Sequence, residues 1–279
     1  MLLSVIWGLA FVAIKAADQV LSPVNLALLR WMLASALFLA LLPIIGRAKS
    51  KFDRKDIPRL LVVAFSNVVG YHISLNYAET SISAGLSGLL ITFGPVFIVL
   101  LSTLLLNEKV GAKVLLALLL AITGALILSV GSINANDFSS FYGPMEVVLS
   151  ALFYALFSVL GKPLVSKYGS APTTIWAGVL GTAMMLPLLS SSFIAQVESL
   201  PLNGWISVLY LSILSTVLGY TLFYTLIRHK SVSTISIQLY LAPIVGVVGG
   251  VVLLGESVTT LTVMGGALML IAVALATKK

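Results

Sequence analysis

The sequence predicts an all-α polytopic membrane protein of ten transmembrane helices, folded as two five-helix repeats inserted with opposite polarity. Three observations lead there. Ten apolar stretches, each close to bilayer length, fill nearly the whole of the 279 residues. Of the 16 Lys and Arg residues, 14 fall on alternate connections between those stretches. The layout also recurs at an offset of about 148 residues, and an odd number of spans per half makes the second half enter from the opposite side.

In chain order, the first span is Leu2–Ala17, the shortest at 16 residues. It has no positively charged leader, so it is expected to stay as a helix and not to be cleaved as a signal peptide. Pro23–Pro43 follows, opening on a proline where a helix tolerates one. A basic run of Arg47, Lys49, Lys51, Arg54, Lys55 and Arg59, against only Asp53 and Asp56, marks the next connection as cytoplasmic. Pro58–Ala78 then crosses outward. Ser81–Leu106 starts in a serine-rich turn, carries Pro95 near its middle and ends at Glu108 with Lys109. Val114–Ile133 closes the first half. Tyr142–Leu160 leads to Lys162 and Lys167, and Pro172–Ser190 to a connection holding Glu198. Leu202–Ile227 ends on Arg228 and Lys230. Val232–Leu254 repeats the serine-rich start with Pro243 inside and Glu256 at its end, and Val258–Ala276 precedes Lys278 and Lys279. The opposite connections hold Asp18, Glu79, Asp137, Glu198 and Glu256. Both termini are therefore expected inside a cytoplasmic or plasma membrane.

Composition excludes most other classes. Hydrophobic residues make up 59% and charged residues 9%, with a mean hydropathy of +1.13, whereas soluble domains carry about 25% charged residues. Continuous apolar runs argue against an outer-membrane barrel, whose strands alternate in character. The net charge of +7 reflects positive-inside bias, not nucleic-acid binding. With no cysteine there are no disulfides or thiolate metal sites, and no metal or cofactor is expected.

Ser83–Gly131 aligns with Ser231–Lys279 without a gap, placing Pro95 on Pro243 and Glu108 on Glu256. Gly70-Tyr71 falls near Gly219-Tyr220, Pro23 near Pro172 and Ser4 near Ser150. The expected repeats are residues 1–135 and 136–279. Together with IWGLAFVAIK (Ile6–Lys15), PVNLALLRWMLA (Pro23–Ala34) and the long segments Asn76–Val110 and Ser231–Glu256, these features make the whole chain similar to EamA-type members of the drug/metabolite transporter superfamily. The resemblance implies two EamA repeats around a central cavity, with the fourth and ninth helices lining it and the fifth and tenth peripheral. It also implies secondary transport of small organic metabolites, commonly export. The second repeat departs in being richer in glycine (Gly246, Gly249, Gly250, Gly255).

Ionisable and polar groups within spans are costly there and so become the functional candidates. Arg30 reads as a fixed charge for a carboxylate or phosphate, or as a structural partner of Glu146 or of helix-end carbonyls. Lys15 either contacts substrate or snorkels to headgroups. Glu146 is the acid expected to be shielded enough to carry a coupling proton, and His72 is the second proton candidate. The third span carries two polar stripes, Asn67 with Tyr71 and His72 with Asn76. Gln238 and Tyr240 are cavity candidates on the ninth span, and Trp7, Tyr154, Tyr220 and Tyr224 are candidates for an aromatic wall. Pro95 and Pro243 are expected to kink their helices as a symmetric pair of hinges.

The expected function is movement of a small-molecule substrate by alternating access, with proton coupling at His72 or Glu146. A homodimer is left open. A passive channel or a binding-only receptor is the alternative, and a membrane enzyme a distant third. Its motif, Gly85-Leu86-Ser87-Gly88, needs a histidine base on another helix. The topology yields a direct test, helped by the absence of native cysteine. Single cysteines in place of Glu108 and Glu256 are expected to react with impermeant maleimide from opposite sides of sealed vesicles. Labelling of both from one side would refute the inversion.

Overall fold

The computed structural model describes residues 2–45, 52–109, 111–132, 141–232, 235 and 241–277. Every described regular element is helical, and each expected span overlaps a helix in its described residues. We label them α1 (Leu2–Ala17), α2 (Pro23–Ile45), α3 (Arg54–Ser81), α4 (Ala84–Leu106), α5 (Ala112–Ser132), α6 (Tyr142–Tyr168), α7 (Ser170–Leu188), α8 (Leu202–His229), α9 (Leu241–Leu254) and α10 (Thr260–Thr277). Among the described residues, six of these (α2, α3, α4, α6, α7 and α8) are long and apolar enough to cross a membrane by themselves. The others contribute shorter apolar segments. The expected division between residues 135 and 136 lies outside the described residues.

The molecule carries an apolar surface, and its polar membrane-depth side chains lie inside, among a hydrophobic core. Leu104 is 74% and Val252 72% exposed, whereas Asn67, His72 and Glu79 are at 1% or less. Water would reverse that arrangement. Hydrocarbon accepts it, because leucine is at home in lipid and amides need protein partners.

The helix pairings come as exchanged sets. α1 packs on α9 as α4 packs on α6, and α4 on α9, α2 on α7 and α5 on α10 pair like with like. α5 and α10 lie mainly against each other at the periphery. Each half is thus completed by helices of the other.

The ends of α4 and α9 show why. Asn107 and Gly255 both adopt the left-handed conformation, at φ 53° and 68°. The following N–H groups close the same turn, Glu108 to the Ser102 carbonyl at 3.2 Å and Glu256 to the Gly250 carbonyl at 3.0 Å. That turn aims each carboxylate at the other half. Glu256 accepts from the first free N–H groups of α4, Ala84 at 2.8 Å and Gly85 at 3.1 Å. Glu108 accepts from Val232 at 3.4 Å and from Lys162 at 3.4 Å. Positions 84 and 232 are again 148 apart, so each repeat caps a helix start of the other. About 23 residues of α4 separate its two ends, or ~35 Å at helical rise, which puts the caps on opposite faces.

The basic face is knitted by further contacts. The Tyr168 hydroxyl donates to Asp56 at 2.6 Å and accepts from the Asp53 N–H at 3.0 Å. Lys167 donates to both aspartates. That hydrogen bond and charge hold the Asp53 carboxyl below the usual carboxylate range, but Asp53 is exposed and the pair contributes little. On the opposite face a short helix, Phe193–Glu198, ties to the start of α2. Gln196 accepts from Asn25 at 2.8 Å and from the Ser22 N–H at 3.0 Å.

One correction concerns Glu79, expected in a connection. α3 continues to Ser81, so Glu79 lies in its last turn and is fully buried.

Close packing of α7 on α3 depends on Gly181, where a Cβ would lie 2.6 Å from the Ala64 carbonyl and collide with Val68. Because backbone cannot yield as a flexible side chain does, Gly181→Ala is expected to destabilise by about 1–3 kcal/mol. Thermal melting in detergent reads this as a lower Tm. Gly266→Ala, with nothing within 4 Å, should leave it unchanged or slightly higher.

Candidate functional site

A cavity opens where the exchanged helices meet. Including its mouth and the open space before it, it holds about 690 Å³ of unfilled space. Its walls come from α1 (Trp7, Ala10, Phe11, Ile14), α2 (Arg30), α3 (Tyr71, Leu75) and α4 (Ile91, Thr92, Pro95). The remainder comes from α6 (Tyr154, Phe157), α8 (Ser215, Tyr220) and α9 (Ala242, Pro243). Tyr71 with Tyr220, and Pro95 with Pro243, are partners across the repeat offset, so both halves supply equivalent surface.

Two departures from regular helix shape these walls. α3 is π-helical over Phe65–Tyr71 and α8 over Tyr210–Leu218, at corresponding places in the two halves. A π turn inserts an extra residue, which redirects carbonyls and side chains. In α8 this frees the Ser215 carbonyl to accept from Trp7 Nε1 at 3.0 Å, and the Thr216 hydroxyl donates five residues back, to Leu211, at 2.8 Å. α4 is also broken. Its first segment ends at Leu90, Ile91–Phe93 form a 3-10 turn, and the helix resumes at Gly94 with Pro95 in its first turn. A proline N–H is not needed there, so Pro95 fits where the helix restarts. Pro243 is the third residue of α9, and residues 236–240 before it lie outside the described set.

Arg30 is 3% exposed. Its Nε donates to Thr216 Oγ1 at 2.7 Å and its Nη2 to Ser215 Oγ at 3.1 Å. The expected pairing with Glu146 is not formed. Glu146 is half-buried on α6, and Arg30 is held instead by two hydroxyls delivered by the π turn of α8. Neither serine nor threonine supplies negative charge.

Around the guanidinium the side chains are aromatic. Trp7 stands 5.5 Å from Tyr220 and 5.3 Å from Phe223, and Tyr154 lies 5.3 Å from Phe157. His72 is fully buried behind this wall. Its Nε2 meets the Tyr220 hydroxyl at 3.1 Å, and its ring packs 5.3 Å from Trp31.

Of the sequence candidates, Trp7, Arg30, Tyr71, Tyr154, Tyr220, Pro95 and Pro243 line the cavity. Lys15 does not, because its ammonium donates to the Glu79 and Ile82 carbonyls that end α3. Asn76 donates to the Pro23 carbonyl at 2.9 Å and joins α3 to α2. Asn67 is buried beside the cavity without lining it. Tyr224 is fully buried and packs on Phe223 at 5.8 Å. Gln238 and Tyr240 lie outside the described residues. Sequence reasoning missed Phe11, Thr92, Phe157, Ser215 and Thr216, whose types are common in any apolar span. It also named Glu146 as the shielded acid, where burial falls on Glu79. Both Glu79 carboxyl oxygens are buried without a hydrogen-bond partner. Ser87 of the G-x-S-G motif is buried with an unpartnered hydroxyl, His72 is engaged with Tyr220, and His229 is exposed, so the motif has no base.

An apolar-surfaced helical bundle around a polar-tipped aromatic cavity defines a polytopic membrane transporter. The chain belongs to the EamA-like transporter family, whose model matches residues 1–130 and 142–278, and hence to the drug/metabolite transporter superfamily, a class of transporters and not of enzymes. An uncharacterized transporter of Archaeoglobus fulgidus is 33% identical over 98% of this chain and 95% of its own length. A probable terminal-alkyne amino-acid exporter of Streptantibioticus cattleyicolor is 29% identical over 95% and 87%. A probable amino-acid metabolite efflux pump of Escherichia coli is 25% identical over 97% and 90%. A solved crystal structure, at 17% identity, shares the fold with a TM-score of 0.72 over 99% of this chain and 94% of that one.

The Arg30 cradle predicts a specific instability. Thr216→Val keeps the shape but leaves a buried N–H of Arg30 without an acceptor, at a cost of about 1–3 kcal/mol. Its Tm should fall, whereas Thr225→Val, at an exposed position, should melt like the parent protein.

Proposed function

We propose that the protein exports a small organic metabolite, amino-acid-related or drug-like, across the cytoplasmic membrane by alternating access, with both termini inside. The observation that carries this reading is the cavity built from equivalent residues of two exchanged halves, with a buried cation in its wall. Two relatives named for amino-acid or amino-acid-metabolite export favour the substrate class. The repeats, residues 1–135 and 136–279, rock about the cavity. The break before Pro95 and the equivalent Pro243 absorb the bending. The two carboxylate caps act as latches: Glu256 holds α4 on one face, Glu108 holds the α9 entrance on the other, and opening a face releases its cap.

Coupling falls to a proton at His72 or Glu146. His72 touches a cavity-lining hydroxyl, so its charge state bears directly on the site. Glu146 is closer to the surface.

Purified protein in proteoliposomes, assayed with a panel of radiolabelled amino acids and aromatic acids, is expected to show saturable uptake accelerated by the same solute inside. Flux that never saturates and shows no counterflow points to a pore and defeats the carrier. Glu256→Gln and Glu108→Gln should each lower the exchange rate severalfold while substrate still binds. A pH gradient should drive wild-type uptake, and His72→Ala or Glu146→Gln should flatten that dependence. Unchanged pH profiles in both variants remove them from coupling.

A further inference from the structure

The hydrogen-bonding inventory of the cavity is one-sided. Arg30 is its one charged lining residue among those described, and none of the eight described acids lines it. The chain carries no Asp or Glu between Glu198 and Glu256, so the stretch 233–240 adds none. Arg30 has five N–H donors; Thr216 and Ser215 take two, and three remain. Among the described residues the acceptors nearby are neutral oxygens, several of them already engaged. The Ser215 carbonyl takes the Trp7 N–H, the Thr92 hydroxyl donates to the Leu89 carbonyl, and the Tyr220 hydroxyl is joined to His72.

We infer that the cavity selects an organic carboxylate with a flat apolar body and no ammonium group, in preference to a zwitterionic amino acid or an amine. This deepens the reading of the cavity as the substrate site and rests on it. A carboxylate completes the guanidinium in the planar two-bond geometry that a hydroxyl pair cannot give. It also neutralises a cation that otherwise lies buried without a counter-charge. Trp7, Tyr154 and Phe157 offer ring faces for the apolar body. An ammonium would be stripped of water with no carboxylate among the described lining residues to receive it, next to a like charge. Glu79, the buried acid of α3, sits a helical turn beyond Leu75, outside the lining, with the Lys15 ammonium against its own backbone carbonyl.

Hydrocinnamate, phenylalanine and phenethylamine share a phenyl ring on a two-carbon chain and differ only in their charged groups. Titration calorimetry of the purified full chain in detergent is expected to show hydrocinnamate binding at least about tenfold more tightly than phenylalanine, and no binding of phenethylamine. Arg30→Gln should weaken hydrocinnamate at least about tenfold, and Glu79→Gln should change neither ligand. Equal or tighter binding of phenylalanine, binding of phenethylamine, no binding of any of the three, or hydrocinnamate affinity indifferent to Arg30→Gln overturns the inference. If phenylalanine wins and Glu79→Gln removes its advantage, Glu79 is an ammonium site and the cavity takes zwitterions. The wild-type comparison decides even where Arg30→Gln fails to fold. Because binding is read without flux, a protein that binds hydrocinnamate but shows no counterflow defeats the carrier reading and leaves this one standing.

Discussion

Hydrocarbon offers no hydrogen bonds, and that one constraint organises the molecule. A polar side chain within a span finds its partner in protein or stays there at a cost. Asn76 finds the Pro23 carbonyl, Lys15 the end of α3, and Arg30 two hydroxyls of α8. These contacts join helices distant in sequence, so satisfying polar groups and assembling the bundle are the same event. The apolar residues do the complementary work on the outside, where leucines face lipid at no cost.

The same constraint explains the exchanged halves. A helix start inside a membrane protein leaves N–H groups that lipid cannot satisfy. Each half supplies a carboxylate to the other's helix start, and both carboxylates are aimed by the same left-handed turn. Sequence identity between the halves is thin, yet Asn107 and Gly255, residues of different type, adopt one conformation because asparagine and glycine are the side chains that tolerate it. Backbone geometry has outlasted the residues that make it. The two π segments are a second case, since Phe65–Tyr71 and Tyr210–Leu218 share little beyond their place.

Placement of the spans was legible in the sequence because it depends on composition and length, and the basic connections sorted the ends. The site was legible in part. Trp7, Tyr71, Tyr154, Tyr220, Pro95 and Pro243 stood out as aromatics or prolines in spans, and the structure brings them to one cavity. Glu79 was misplaced because hydropathy ends a span at its first charge, whereas α3 runs on for another turn once neighbouring helices bury it. Arg30 was recognised as costly, but its partners were not. Serine and threonine at 215 and 216 are unremarkable until a π turn swings them inward, and no local pattern announces that turn. Phe157 and Thr92 were likewise invisible, since their facing depends on which neighbour each helix chooses.

The sequence by itself determined that this chain is a helical membrane protein of the EamA kind, the spacing of its spans and the repetition of its halves. Those properties follow from the free energy of moving residues between water and lipid, which is nearly additive along the chain. Only the tertiary structure decided which helices exchange between the halves, that Arg30 is cradled by hydroxyls and not by an acid, and that the cavity beside it is lined without an acid among the described residues. Such outcomes depend on the directions of side chains meeting from separate helices, a geometry that no additive scale contains.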